Sequence, residues 1–284
     1  MPLITTKEML LAAQNGGYAV GAFNVENMEM VRAVISAAEE MNSPVILQTT
    51  PGTLRYESPA MFAAMASAAA DKSSAKIAMH LDHGDSFQRA QQVLQAGYTS
   101  VMIDGSRLPL EENIALSSRV TELCHAAGIP VEAELGKVGG KEDDISVEGE
   151  TPFTDPAEAV EFVKRTAVDS LAVGIGTSHG IYQGEPHVDL DVLSQIRSVV
   201  DIPLVMHGTS GVPDETVAKA VRLGICKVNY ATELRIAFSD AVKQYLAEHP
   251  DEYDPKKYGS AGRDAVKELV KHRIQNLGSA GKNN

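Results

Sequence analysis

The feature that most constrains the fold of this chain is a regular alternation of short apolar runs with amphipathic stretches. The apolar runs predict buried strands, and the stretches between them place apolar residues at helical spacing. We predict eight strands: Gly21 to Val25, Pro44 to Thr49, Lys76 to Leu81, Thr99 to Ile103, Pro130 to Leu135, Ser170 to Ile175, Pro203 to Met206 and Ile225 to Asn229. Eight βα units in 284 residues favour an α/β fold of the (β/α)₈ TIM-barrel type, which typically takes about 250 residues. A doubly wound open sheet has the same alternation and is the alternative.

Residues that begin and end helices lie between the predicted strands. Asp155 followed by Pro156 is typical of a helix start, Pro213 opens another helix, and Gly128 and Gly224 stand where helices end. We expect a helix from Thr6 to Asn15 to cap the barrel bottom and two long helices after Glu233, interrupted near His249 to Tyr258, to form a C-terminal extension. Because no linker or composition shift divides the chain, we expect one barrel domain over residues 1–284.

Charge and composition limit the partners that the chain can have. A net charge of −13 and a pI near 5.1 argue against nucleic acid and anionic membrane surfaces as partners. A bound phosphate must therefore be held locally, by amides, a metal or a few placed cations. Two cysteines, an N-terminus without a signal-peptide pattern and the lack of a long apolar run predict a cytoplasmic protein.

Three of the eight histidines follow predicted strands and are each followed by glycine. His83 lies in HLDHG, His179 in GTSHG and His207 in MHGTSG. Since the carboxyl ends of barrel strands meet at one face, three imidazoles there predict a catalytic zinc site with an open fourth position. The other five histidines, His80, His125, His187, His249 and His272, are assigned no role.

Carboxylates stand beside these histidines. Asp82 is the best candidate for a general base, with a supporting role toward an imidazole as the alternative. Asp104 and Glu134 end the fourth and fifth predicted strands and are candidates for a second metal position. The charged, glycine-led stretch from Gly139 to about Thr154 is expected to form a mobile lid that brings a carboxylate into the site, or else an ordinary surface loop.

Glycine and hydroxyl residues follow the last two predicted strands, where barrels commonly bind phosphate. One group is Gly208, Thr209, Ser210 and Gly211; the other is Asn229, Tyr230, Ala231 and Thr232. Each group precedes a helix, whose N-terminal amides can bind an oxyanion. Together they predict a local phosphate site.

The motifs HLDHG, VEAELG followed by GGKEDD, GTSHG, LVMHGTSG and VNYATEL resemble, in order and across nearly the whole chain, the class II ketose-bisphosphate aldolases. The resemblance is closest to the tagatose-bisphosphate and short fructose-bisphosphate branch. It implies a catalytic acid/base at Asp82, zinc ligands at His83, His179 and His207, and proton transfer aided by Glu142. It also implies that Gly180, Gly208 to Ser210 and Asn229 to Thr232 bind the dihydroxyacetone phosphate portion, and that Asn24 and Thr50 contact substrate.

The implied reaction is reversible cleavage of a ketose 1,6-bisphosphate, with Zn²⁺ and a monovalent cation, Na⁺ or K⁺, as cofactors. Tagatose 1,6-bisphosphate is favoured, and fructose 1,6-bisphosphate or a deoxy-keto-gluconate phosphate is the alternative. A homodimer or homotetramer is expected, with a supporting subunit as a further partner. The chain departs from relatives at Gly84, where several have a second histidine, at Thr209, where alanine is common, and near Lys256, Lys257 and Arg263, where arginine often binds the distal phosphate.

Other functions fit the residues less well. A Schiff-base aldolase needs a lysine near the substrate carbonyl, and the sixth predicted strand has none, while Lys227 lies in the phosphate strand. A metal-dependent hydrolase would pair histidines as HxH on the first strand, which this chain lacks. A non-catalytic supporting barrel is disfavoured because Asp82 and all three histidines are present.

Overall fold

The computed structural model describes residues 2–142, 145–147, 152–182 and 184–283, and side chains are described outside 141–151. Its strands are β1 (Val20–Asn24), β2 (Val45–Thr49), β3 (Ile77–Gly84), β4 (Ser100–Ile103), β5 (Val131–Leu135), β6 (Gly139–Glu142), β7 (Ile145–Val147), β8 (Ser170–Val173), β9 (Ser178–His179), β10 (Leu204–Met206) and β11 (Ile225–Tyr230). Its helices are α1 (Thr6–Gly16), α2 (Met28–Glu40), α3 (Pro51–Tyr56), α4 (Pro59–Ala70), α5 (Phe87–Ala96), α6 (Leu110–Ala126), α7 (Pro156–Thr166), α8 (Leu190–Val199), α9 (Asp214–Arg222), α10 (Thr232–Glu248) and α11 (Pro255–Asn276).

Eight parallel strands close into a barrel in the order β1-β11-β10-β8-β5-β4-β3-β2. β1 pairs with both β2 and β11, and Ala22 lies opposite Ile46 on one side and Asn229 on the other. This closure confirms the predicted (β/α)₈ fold and excludes the open sheet, which would leave two strand edges without partners.

Side chains inside the barrel form an apolar bottom and a polar top. Val20, Ala22, Ile46 and Ala78 pack with the buried face of α1 in a separate small core. Strand residues further along the chain place polar side chains in the same interior, because alternate residues of a strand face the same side. α1 thus closes the bottom of the barrel as predicted, and the interior opens only at the carboxyl ends.

The predicted helix signals are confirmed. The Asp155 side chain accepts from the amides of Ala157 and Glu158 at the start of α7, at 2.8 and 3.0 Å. Gly128 and Gly224 have positive φ angles of 72° and 110° just after α6 and α9. The two terminal helices α10 and α11 are separated by residues 249–254 only, a shorter break than predicted.

Most predicted strands differ from the observed ones by one or two residues at an end, and two differences are larger. β3 continues to Gly84 instead of ending at Leu81, because Gly84 keeps a backbone pairing with Ile103 after an irregularity in the ladder. The stretch expected to be a loop from Gly139 begins as β6, which pairs antiparallel with β7 and parallel with β9. Asp143, Asp144 and residues 148–151 of that stretch lie outside the described residues.

Among the described residues, no helix combines the length and the apolar character needed to cross a bilayer.

Candidate active site

The three predicted histidines meet at the carboxyl ends of the barrel strands. His83 lies in β3, His179 in β9, and His207 directly after β10. The ring centroids of His83 lie 4.9 Å from those of His179 and 4.7 Å from those of His207. One nitrogen from each ring falls in a group whose atoms are all within 4.8 Å of one another. The structure therefore brings together the residues that the sequence predicted for a metal site.

The local backbone at His83 is unusual. Its φ angle of 46° is in the left-handed region, which residues with a Cβ rarely adopt, and it coincides with the irregularity in the β3–β4 ladder. At the following position, a Cβ on Gly84 would lie 2.3 Å from the carbonyl oxygen of Met102. Glycine is thus required here, and this backbone has no room for a second histidine at position 84.

Carboxylates fix the tautomers of two of the imidazoles. His83 Nδ1 lies 2.8 Å from Asp104 Oδ2, and His207 Nε2 lies 2.9 Å from Glu132 Oε1. Ionised carboxylates only accept hydrogen bonds, so the protons are on His83 Nδ1 and His207 Nε2. The remaining nitrogens, His83 Nε2 and His207 Nδ1, face each other at 2.9 Å, and both then carry lone pairs.

Two buried lone pairs in contact are unfavourable, and either a proton shared by the two nitrogens or a metal ion between them relieves the contact. Zn–N bonds of about 2.0–2.1 Å in tetrahedral geometry place two nitrogens roughly 3.3 Å apart. The observed 2.9 Å is a few tenths of an ångström shorter, a gap that a small ring rotation opens. The carboxylate partners on the far nitrogens are also what metal-binding imidazoles commonly have. The residues present fit a zinc ion held by three histidines.

A second possible metal group shares His83. It contains His83, Asp104 and Glu134, again with ligand atoms within 4.8 Å of one another. Glu134 Oε2 is buried without a hydrogen-bond partner and lies 3.6 Å from His207 Nδ1. Burial, and then the nearby charge of Asp104, raise the pKa of Glu134 well above its usual range. Burial also disfavours ionisation of Asp104, but the hydrogen bond and charge of His83, together with hydrogen bonds from Ser106, outweigh burial and lower the pKa of Asp104.

Asp82 is buried beside the histidines and is held by three amide side chains. Its Oδ2 accepts from Asn24 and Gln48, each at 3.1 Å, and its Oδ1 accepts from Asn229 at 3.0 Å. Gln48 also donates to Asn24 Oδ1 at 2.7 Å. The carboxylate is therefore fixed in position, 3.9 Å from His83 Nε2, where it can take or return a proton beside the metal position.

An ion pair lies one layer deeper in the barrel. Lys227 Nζ is 2.9 Å from Glu132 Oε2 and 3.2 Å from Oε1, and neither side chain is more than 2% exposed. Burial would raise the pKa of Glu132, but the charge of Lys227 and the hydrogen bond from His207 lower it well below its usual value. Burial and the Lys227 charge lower the pKa of His80, so His80 is neutral. The sequence did not predict the contact between Glu132 and His207.

A small cavity beside the histidines has an empty volume of ≈ 270 Å³. The residues lining it come from four strand ends: Asn24, His179, Gly180, Gly208, Thr209, Ser210, Asn229, Ala231 and Thr232. The N-cap residue of α10, Ala231, has no side chain that could cap the helix, and a helix N-terminus favours an oxyanion. The Ser210 hydroxyl accepts from the amide of Glu233 at 3.4 Å and so links the two loops.

Two predicted substrate residues do not line this cavity with their side chains, and the side chain of a predicted catalytic residue lies outside the described part of the chain. The Tyr230 side chain is buried on the outer side of the barrel, stacked on Phe23 with ring centroids 5.7 Å apart. It faces outward because it alternates with Asn229, so only its backbone can contribute. Thr50 caps α3 by accepting from the amide of Thr53 at 3.2 Å. The Glu142 side chain lies outside the described residues.

Comparisons with known proteins agree with this geometry. The family model described as fructose-bisphosphate aldolase class-II matches residues 4–282. The YdjI aldolase from Escherichia coli K12 is similar in structure, with a TM-score of 0.88 and 37% identity over 99% of this chain and 100% of that one. A candidate fructose-1,6-bisphosphate aldolase from Coccidioides immitis has a TM-score of 0.88 and 28% identity, over 97% of this chain and 96% of that one. Fructose-bisphosphate aldolase from Campylobacter jejuni has a TM-score of 0.83 and 22% identity, over 99% of this chain and 97% of that one. At this identity the likeness supports the fold alone.

Proposed function

Because the chain belongs to the class II fructose-bisphosphate aldolase family, we propose that it is a zinc-dependent aldolase that cleaves a ketose 1,6-bisphosphate into dihydroxyacetone phosphate and glyceraldehyde 3-phosphate. The observation that supports this most is the convergence of His83, His179 and His207, with one nitrogen of each ring in a group whose atoms lie within 4.8 Å of one another, next to the buried Asp82 and the cavity at α10. A metal position, a carboxylate and an anion site thus adjoin one another, as this reaction needs.

We infer the following roles for the residues of the chain. His83, His179 and His207 hold Zn²⁺, which when bound supplies Lewis-acid polarisation of the ketose carbonyl. Asp82 takes the proton of the C4 hydroxyl as the C3–C4 bond breaks and the bonding electrons move toward the C2 carbonyl. Glu142 aids the proton transfer that completes dihydroxyacetone phosphate, a role supported by the family resemblance.

The phosphate of the dihydroxyacetone portion is proposed to bind at the cavity. Gly180, Gly208, Thr209 and Ser210 supply amides and hydroxyls on one side, and Asn229 to Thr232 lie on the other. An Na⁺ or K⁺ ion beside this phosphate remains part of the proposal through the resemblance. Asn24 is the better supported of the two other substrate contacts, since it lines the cavity and donates to Asp82, whereas the Thr50 hydroxyl caps α3.

Tagatose 1,6-bisphosphate is our favoured substrate, and fructose 1,6-bisphosphate or a deoxy-keto-gluconate phosphate is the alternative. The supporting-subunit alternative is disfavoured, since a barrel without catalysis needs no carboxylate held by three amides beside the histidines. A cytoplasmic homodimer or homotetramer, with one barrel domain per chain, completes the proposal.

The test is cleavage of tagatose and fructose 1,6-bisphosphates side by side, before EDTA treatment, after it, and after zinc is restored. Triose phosphate production that disappears with EDTA and returns with zinc supports the proposal, and the ratio of the kcat/KM values names the preferred epimer. Activity that EDTA does not change would contradict the zinc assignment, whereas absence of cleavage with both sugars would favour another phosphorylated ketose.

A further inference from the structure

The hydroxyl of Tyr182 bridges the backbones of two loops at the candidate active site. It accepts a hydrogen bond from the amide of Ser178 at 2.7 Å and donates one to the carbonyl oxygen of Gly208 at 2.7 Å. Burial raises the pKa of this hydroxyl, so it keeps its proton and can make both bonds. These two hydrogen bonds account for the position of the Tyr182 oxygen.

The two loops also touch directly. Gly208 has a φ angle of 61°, and a Cβ there would lie 2.7 Å from the carbonyl carbon of Ser178. On the other side, a Cβ on Gly140 in β6 would lie 2.1 Å from the carbonyl oxygen of His179. The backbone of β9 is thus packed between β6 and the Gly208 loop. A shift of either loop therefore changes the position of the other.

Each loop carries a different part of the proposed site. Ser178 directly precedes His179, a proposed zinc ligand, and Gly208 stands between His207 and the hydroxyl of Ser210 at the cavity. We propose that Tyr182 is a positioning residue whose hydroxyl ties the loop of His179 to the loop of Gly208, so that zinc binding and phosphate binding strengthen each other. This inference rests on the proposed function, since it takes zinc and phosphate as the two ligands.

The physical basis is that each ligand orders a loop that the other ligand also needs. With the Tyr182 bridge in place, a zinc ion that fixes His179 also fixes the Gly208 carbonyl and the amides after it. Without the hydroxyl, the Ser178 amide and the Gly208 carbonyl each lose a partner, and the loops can move separately. Coupling of binding is reciprocal, so phosphate must tighten zinc binding by the same factor as zinc tightens phosphate binding.

The experiment compares Tyr182→Phe with Tyr98→Phe as a matched control. Tyr98 is a buried tyrosine whose hydroxyl also makes a 2.8 Å hydrogen bond, to Thr49, but outside the proposed ligand site. Zinc affinity is measured by competition with a chromophoric chelator, with and without inorganic phosphate. For the unaltered protein and for Tyr98→Phe we expect phosphate to tighten zinc binding by about 5-fold or more. For Tyr182→Phe we expect this factor to fall to within about twofold of one.

The possible results distinguish failure of the role of Tyr182 from failure of the proposed function. Equal coupling factors in Tyr182→Phe and Tyr98→Phe, with zinc bound by both, would overturn the role of Tyr182 and leave the aldolase proposal standing. Failure of the unaltered protein to bind zinc would overturn the proposed function and, with it, the coupling. Thermal unfolding of both variants without ligands checks that the loss of one buried hydroxyl affects stability alike in the two.

Discussion

Replacement of Lys227 by methionine should destabilise the protein strongly, because it leaves the carboxylate of Glu132 buried without its cationic partner. The two side chains are 2.9 Å apart, with exposures of 0% for Lys227 and 2% for Glu132. Removing one member of a buried ion pair costs about 3–5 kcal/mol. An unfolding entropy of about 2.1 cal/mol/K per residue gives roughly 0.6 kcal/mol/K for the chain, so Tm should fall by about 5–8 °C.

The assay is thermal and urea unfolding of the metal-free protein in EDTA, so that any loss of zinc binding does not add to the result. The matched control is Lys227→Met combined with Glu132→Gln. Glutamine keeps an oxygen that can accept from His207 Nε2, yet it removes the unpaired charge. We therefore expect the double variant to recover most of the lost stability, since replacing a buried pair by uncharged residues is often neutral.

Two results would refute this reasoning. A loss below about 1 kcal/mol for Lys227→Met would show that the pair contributes no more than an exposed ion pair. A double variant less stable than Lys227→Met alone would show that the charge of Glu132 is not the source of the cost. A separate zinc titration of the double variant tests whether the amide still orients His207.

Four further predictions concern the site and the surface. Asp82→Asn should lower kcat for retro-aldol cleavage by about 10²–10⁴-fold, measured by steady-state kinetics. Its zinc content, measured by elemental analysis, should stay unchanged. His179→Ala should instead lose bound zinc in the same elemental analysis. Gly208→Ala should raise KM, because its Cβ would lie 2.7 Å from the Ser178 backbone; an unchanged KM would show that the loop can move freely. Burial opposes ionisation of Asp169, but hydrogen bonds from His125 and the Val131 amide lower its pKa, so its contribution to stability is present above about pH 4 and is lost as pH falls further. Asp169→Asn should therefore flatten the acid limb of a stability-versus-pH curve, measured by urea unfolding at a series of pH values.

The sequence predicted the barrel strands well because each is an apolar run with a turn or helix signal on either side. It failed where pairing does not depend on apolar side chains. β3 runs on through Asp82 and His83 to Gly84, since a ladder is made by backbone groups whatever the side chains. β6 forms from glycine and charged residues, Gly139 to Glu142, and β7 has only three residues, Ile145 to Val147, too few to show a period of two.

The three histidines could be placed together from the sequence because they stand near the carboxyl ends of the predicted strands, where barrel sites lie. Their supporting residues could not, since Gln48, Glu132 and Lys227 stand inside strands that we judged by their apolar content. A signal was present nonetheless. Glu132 precedes Glu134 by two positions and Lys227 precedes Asn229 by two, so each lies on the same face, one layer deeper in the barrel.

The chain is acidic and its proposed substrate is an anion. The two are compatible because the proposed metal site and the proposed phosphate site are separate. Around the histidines, the carboxylates of Asp82, Asp104, Glu132 and Glu134 face one lysine, which Glu132 already engages. The pKa values of Asp104 and Glu132 are lowered, so both carboxylates stay charged and favour a cation over a phosphate at the histidines. The proposed phosphate cavity is separate: uncharged amides and hydroxyls and the start of α10 line it, and such groups can bind an oxyanion without a cationic side chain. In the proposed site the histidines and their carboxylate neighbours hold the metal and the loops at the start of α10 hold the phosphate, so the net charge of −13 opposes neither.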